Sequence, residues 1–159
     1  MVSGKENREG GIDRVLCVCV GNICRSPMAA ALLTQRLPGL SGFARVESAG
    51  ISALEGDPAE PLAIKLMRER GLDISSHRGR QLTPDLAGAF DLILVMEKRH
   101  ERAVEQIFPP ARGRVHRIGR FGNFDVPDPY GKPRAAFEHS LALIERGIQD
   151  FLKAFWGVK

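Results

Sequence analysis

The chain is 159 residues long, 43% hydrophobic and 26% charged, with a formal net charge of +4. These totals fit one soluble globular domain with enough apolar surface for a core, and no apolar run approaches membrane-spanning length. The mild positive charge suits a phosphate-bearing substrate, while the absence of any polybasic block speaks against a nucleic-acid partner.

Met1 to Asp13 is polar and glycine-rich, lacks the apolar stretch of a secretion signal, and is expected to be a flexible lead-in to a single domain over residues 14–159. Arg14 to Val20 is a nearly continuous apolar run, the pattern of a strand buried on both faces of a parallel sheet. Ser26-Pro27 predicts a helix start, with Ser as the cap and Pro in the first turn, and Met28 to Arg36 continues it. Val46 to Ser48 predicts a second strand that ends at Gly50. Gly56-Asp57-Pro58 reads as a turn, and Pro61 to Arg70 as a helix stopped by Gly71. Asp91 to Met96 predicts the third strand, Arg99 to Phe108 a helix ended by Pro109-Pro110, and Val115 to Ile118 a fourth strand. The arginines at 112, 114, 117 and 120 read as a solvated loop and strand edge. Pro133 to Phe155 predicts a long helix, because Phe137, Leu141, Ile144, Ile148, Phe151 and Phe155 draw one apolar stripe. The alternation of strands and helices predicts an α/β fold, a four-stranded parallel sheet flanked by helices. Ligands of such sheets lie beyond the carboxyl ends of the strands, near a switch in strand order, so the segment after the first strand is where chemistry is expected.

That segment reads Cys19-Val20-Gly21-Asn22-Ile23-Cys24-Arg25-Ser26 and joins a strand to a helix N-terminus. Successive backbone N–H groups in this setting curl around an anion, and the helix dipole adds positive potential. Gly21 is expected to permit a turn that a side chain would obstruct, and Asn22 to tolerate a left-handed conformation and brace the loop. Arg25 supplies a planar fork for two phosphate oxygens. At the mouth of such a cradle Cys19 is favoured as a thiolate, with Ser26 as a further donor, and a thiolate beneath a phosphate is a nucleophile for phosphorus. The C-x5-R spacing alone is common; C-x-G-N-x-C-R-S-P between an apolar strand and a helix is far more specific. The three cysteines, Cys17, Cys19 and Cys24, are clustered and odd in number, which predicts reduced thiols in a cytoplasmic protein. Cys17 lies within the strand and reads as core. The histidines are dispersed and no ligand pair has zinc spacing, so neither metal nor cofactor is expected.

CVGNICRSP resembles the signature loop of the low-molecular-weight protein tyrosine phosphatases, a likeness that extends over Arg14 to Phe155. The resemblance implies that Cys19 is the nucleophile, that Arg25 and the loop residues from Val20 to Ser26 bind phosphate, and that Asn22 and Ser26 organise the loop. It implies that Cys24 can form a reversible disulfide with the nucleophile. Aryl phosphate hydrolysis also needs a general acid. Asp125-Val126-Pro127-Asp128-Pro129-Tyr130 is stiffened by two prolines and offers two aspartates. Its likeness to the family's late Asp-Pro-aromatic motif implies Asp128 as the acid, with Asp125 structural and Tyr130 walling the cleft. Ser48 and His77 match positions that brace the loop, His77 through the asparagine. Leu54 stands where many members carry an aromatic, and Gly131 follows Tyr130 where many eukaryotic members carry a second tyrosine. With Met96 to His100, these features resemble a bacterial branch associated with tyrosine autokinases of surface-polysaccharide export. That implies a phosphotyrosine protein, such a kinase, as partner for a phosphatase expected to be a monomer.

Three other functions compete. A thioredoxin-coupled arsenate reductase shares the fold and loop but needs later cysteines, and there is none after Cys24. A phosphoarginine phosphatase carries threonine where this loop has Ile23, whose apolar side chain suits a phenol ring better. A non-catalytic phosphate-binding module would need neither Cys19 nor Asp128.

Overall fold

The computed structural model describes residues 12–37 and 45–157. Residues 1–11, on which most of the expected lead-in falls, lie outside the described residues. Ile12 packs against the core, and Asp13 O accepts from Arg45 N at 2.8 Å, so the chain is tied to the sheet before the first strand begins.

Four strands, β1 (Arg14–Cys19), β2 (Arg45–Gly50), β3 (Leu92–Val95) and β4 (Val115–Arg117), form one parallel sheet in the order β2-β1-β3-β4. The helices are α1 (Arg25–Arg36), α2 (Pro61–Glu69), α3 (Pro84–Gly88), α4 (Lys98–Ile107) and α5 (Arg134–Trp156). The chain runs from β1 to one side, then returns to place β3 on the other, so the switch in strand order lies at the carboxyl end of β1. As its apolar run predicted, β1 is buried on both faces. Val15, Cys17 and Cys19 join Leu92, Leu94 and Met96 in a core shared with α1, α2 and α5, while Leu16, Val18, Ile93 and Val95 face Phe90, Val104 and Val115 on the other side. The predicted stripe of α5 is buried from Phe137 to Phe151, with Phe155 packed at its end.

Element limits shift by one or two residues from expectation, and three details differ in substance. Ser26 does not cap α1: Cys24 holds the cap position without a side-chain bond, and Ser26 is already helical, its hydroxyl turned back toward the loop. The short helix α3 was not expected; it is capped by Thr83, whose Oγ accepts from Leu86 N at 3.2 Å, and started by Pro84. Finally, Gly21 has neither a positive φ nor close neighbours, and a Cβ there would meet only ordinary contacts at 3.7 Å and beyond. The left-handed residue is Asn22, at φ 61°. Close approach requires glycine instead at Gly50, at the end of β2, where a Cβ would lie 2.5 Å from Val20 O and 3.0 Å from Asn22 Cβ, and at Gly79, where it would lie 2.3 Å from Leu54 O.

Candidate active site

The loop after β1 is held open by its own carbonyls, which are drawn outward. Cys19 O accepts from Ile51 N at 2.9 Å, Val20 O from Ser52 N at 3.0 Å, Gly21 O from Leu54 N at 3.1 Å and Ile23 O from Glu60 N at 2.8 Å. Asn22 O accepts from His77 Nε2 at 2.6 Å. A carbonyl only accepts, so His77 carries its proton on Nε2. Burial lowers the His77 pKa, which keeps the ring in this neutral form. With the carbonyls tied outside, the N–H groups of Val20 to Cys24 have no protein acceptor among the described residues. The first turn of α1 adds the positive end of its dipole, with no acidic residue to offset it.

Asn22, fully buried, braces the cradle from within. Its Oδ1 accepts from Arg80 N at 2.8 Å, which fixes the amide orientation, and its Nδ2 donates to Ser26 Oγ at 2.8 Å and to Ser48 Oγ at 3.0 Å. Because Ser26 Oγ accepts from Asn22, its own proton is free to point along the 3.0 Å contact to Cys19 Sγ. His77 thus meets the asparagine through its backbone oxygen, and Ser48 through the side-chain amide.

Arg25 is buried, its Nη1 donating to Glu97 Oε2 at 2.6 Å and to Val126 O at 2.9 Å. Its Nε is buried without a partner, and its Nη2 lies 3.8 Å from Asp128 Oδ2. One edge of the guanidinium is therefore anchored, leaving donors on the other for an anion. Burial raises the Glu97 pKa, but hydrogen bonds from Arg99 and Arg25 outweigh it and the net shift is downward, so Glu97 is the anionic partner of Arg25.

Cys19, Val20, Gly21, Ile23, Cys24, Arg25, Leu54, Asp128 and Tyr130 line one cavity of about 280 Å³, joined by Ser52. Leu54 and Tyr130 are exposed at its rim. Asn22, Ser26, Ser48 and His77 stand behind it. Asp128 is half-exposed, and its Oδ1 accepts from Tyr130 N at 3.1 Å. Asp125 is engaged elsewhere: its Oδ1 accepts from Lys98 N at 3.0 Å and from Arg117 Nη1 at 2.9 Å, capping α4. Cys24 and Cys17 both have thiol pKa values pushed up, by burial first and by the charge of Cys19 second. Among the described residues no group of three or more His, Cys, Asp or Glu could hold a metal ion, and no helix is long and apolar enough to cross a membrane.

Besides Gly50 and Ser52, two contributors were missed in the sequence. Glu97 anchors Arg25 from 72 positions away, and Ser140 on α5 fixes the Asp128 segment by donating to Pro127 O at 2.7 Å. An acidic residue at the carboxyl end of a buried strand was the available signal for Glu97; Ser140 had none.

The family model described as low molecular weight phosphotyrosine protein phosphatase matches residues 14–156. The chain is 51% identical over 141 residues to a probable low molecular weight protein-tyrosine-phosphatase, EpsP, of Ralstonia solanacearum, covering 89% of this chain and 94% of that one. It superposes on Vibrio vulnificus Wzb, solved with benzylphosphonate, at a TM-score of 0.83 and 41% identity, covering 90% of this chain and 99% of that one. It also resembles the YwlE arginine phosphatase from Geobacillus stearothermophilus, at a TM-score of 0.74 and 35% identity over 89% of this chain and 94% of that one. The likeness thus takes in the cradle, the Asp128 segment and the sheet between them, and the chain belongs to the low molecular weight phosphotyrosine protein phosphatase family, an enzyme of that kind.

Proposed function

We propose that Cys19 is the nucleophile of a two-step phosphotyrosine hydrolysis. The observation that carries this reading is one cavity lined by Cys19, Arg25 and Asp128, with loop carbonyls turned out and loop N–H groups left for an anion. The phosphate sits among the N–H groups of Val20 to Arg25, and the unanchored edge of Arg25 bonds two of its oxygens. Cys19 Sγ attacks phosphorus and the P–O bond to the phenol breaks. Asp128, protonated for this step, gives its proton to the departing oxygen. In the second step Asp128 takes a proton from water, which attacks phosphorus; the S–P bond breaks, and the Ser26 hydroxyl bonds the thiolate that is released.

Ile23, Leu54 and Tyr130 give the cavity apolar walls, which favours an aromatic leaving group over a guanidinium. Cys24 lines the same cavity and is the partner for a protective disulfide: peroxide oxidises Cys19 to the sulfenic acid, and the Cys24 thiol displaces water from it. By family resemblance the physiological substrate is a tyrosine autokinase of surface-polysaccharide export, and the enzyme a cytoplasmic monomer.

The test is hydrolysis of a phosphotyrosine peptide and a phosphoarginine peptide side by side, with chelator present. Wild type is expected to turn over the first, and Cys19→Ser neither, although folded. Asp128→Ala is expected to slow phosphotyrosine turnover by about a hundredfold, within the usual range for general acid–base catalysis. Turnover by Cys19→Ser, or an equal loss in Asp125→Ala, would overturn the assignment.

A further inference from the structure

Beside the cavity over Cys19 lies a larger recess of about 810 Å³, and the two share Ile23, Leu54 and Tyr130 as a common wall. The smaller space is sized for one phosphorylated side chain, so the polypeptide carrying it must leave across a rim. Leu54 and Tyr130, 42% and 55% exposed, form an uncovered apolar rim on the side of this recess. The recess beside α4, lined by Lys98, Arg99 and Asp125, shares no residue with the cavity.

The continuous recess is floored by α2, whose N-terminus is fixed to the phosphate loop by the bond from Glu60 N to Ile23 O. Pro61, Ile64, Lys65 and Arg68 then follow at helical spacing, drawing one stripe along the recess. The stripe has an order. Near the cavity it is apolar, with Pro61 and Ile64 beside Pro58. At the far end it is cationic, about 10 Å on at 1.5 Å per residue. Glu69 also lines the recess, its oxygens accepting from Arg134 at 2.7 and 3.0 Å and its charge interacting with Lys65 as well, so that end carries two cations, Lys65 and Arg68, against one carboxylate already paired to a third. Among the described residues neither Lys65 nor Arg68 has a carboxylate within ion-pair distance. Asp57 and Glu60 stand at the near end and oppose an acidic side chain close to the phosphotyrosine.

We infer that this recess docks the polypeptide flanking the phosphotyrosine, and selects a segment with an apolar side chain one or two residues away and an acidic side chain three or four residues away. The inference rests on the phosphotyrosine reading above and names the partner's chemistry. An extended chain rises about 3.3 Å per residue, so three or four residues cover the span from the cavity rim to Lys65 and Arg68. The apolar side chain packs on Ile64 and Leu54, and the carboxylate meets the cationic end while Asp57 and Glu60 exclude it from the near end.

The experiment compares kcat/KM for three phosphotyrosine peptides: one with the apolar–acidic pattern before the phosphotyrosine, one with it after, and one flanked by Gly and Ser only. p-Nitrophenyl phosphate, which occupies the small cavity alone, is the control. In wild type one patterned peptide is expected to exceed the Gly/Ser peptide by about tenfold, the worth of one packed apolar side chain. Ile64→Lys, and separately Lys65→Glu with Arg68→Glu, are expected to erase that advantage through KM while leaving p-nitrophenyl phosphate turnover within about twofold of wild type. The charge-reversed pair lies on exposed helix surface and keeps the test independent of how Ile64→Lys folds. Equal rates for all three peptides in wild type, or an advantage that survives the charge reversal, would overturn the docking inference while p-nitrophenyl phosphate turnover left the phosphatase reading standing. Failure of wild type on p-nitrophenyl phosphate itself would remove both.

Discussion

Asn22 shows how much of the site hangs on single side chains. Its left-handed backbone turns the loop, its carbonyl is tied to His77, and its amide supports Ser26 and Ser48. Ser26 in turn points at Cys19, its hydroxyl 3.0 Å from the sulfur. A hydrogen bond to a charged group contributes roughly 1.5–3 kcal/mol, so Ser26→Ala is expected to lower kcat by about ten- to a hundredfold. The loss should fall mainly on the second step, where the thiolate is released, and appear in pre-steady-state kinetics as a burst of phenol that wild type shows less strongly. An unchanged kcat would remove Ser26 from the chemistry. The loop was legible in the sequence because its parts are contiguous: strand, cysteine, asparagine, arginine and helix start lie within a dozen positions. The reason given to Gly21 was not, because the close approach is made at Gly50, and only strand pairing reveals that Val20 O and Gly50 meet.

At the scale of an element, the N-terminus of α4 links Arg25 to the core. Glu97 holds the cap position with its carboxylate committed to Arg25 and Arg99, and His100 turns back onto it: its Nδ1 accepts from Glu97 N at 3.1 Å. An accepting Nδ1 is unprotonated, so this cap requires a neutral histidine. Burial and the cations Arg25 and Arg99 lower the His100 pKa to about 4, against the raising effect of Glu97 and Asp125. The unfolded chain takes up this proton near pH 6.5 and the folded chain only near pH 4, so stability is full above 6.5 and declines as pH falls between them. Glu97, with its pKa also lowered, adds a loss further into acid. Thermal melts from pH 7 to pH 4.5 are therefore expected to fall steadily in wild type and less steeply in His100→Asn. Equal slopes would show that His100 is not the titrating group. Sequence patterns did not expose this cap, since a Glu three before a His is not the usual box pairing. The five-residue α3 escaped because it is too short for an apolar period, although Thr83-Pro84 carries a cap and a first-turn proline.

At the scale of the molecule, the strand order does the assembling. With β3 beside β1, Glu97, two residues past β3, reaches the arginine of the loop that follows β1, and the segment after β4 brings Asp128 to the same rim. The architecture could be read from alternating strands and helices; the Glu97–Arg25 pair could not, because pairing across 72 positions depends on which strands become neighbours. The sheet is covered on both faces, and α5 closes one of them with a stripe that was plain in the sequence. Ile148 is fully buried there, away from the cavity. Ile148→Ala is expected to cost about 2–5 kcal/mol in urea unfolding while kcat at low temperature stays near that of wild type. A cost below about 1 kcal/mol would mean that this face of the sheet is not closed as described.

A phosphoryl group carried on Cys19 distinguishes this mechanism from its rivals, and rapid-quench trapping detects it. p-Nitrophenyl phosphate leaves with little need for an acid, so in Asp128→Ala the first step continues while the water-dependent second step slows. Quenching that variant in mid-turnover and mapping the modified peptide by mass spectrometry should find one phosphoryl group, on Cys19. A phosphoryl group on Cys24 or on a histidine, or sustained turnover with no covalent adduct at any quench time, would contradict the account.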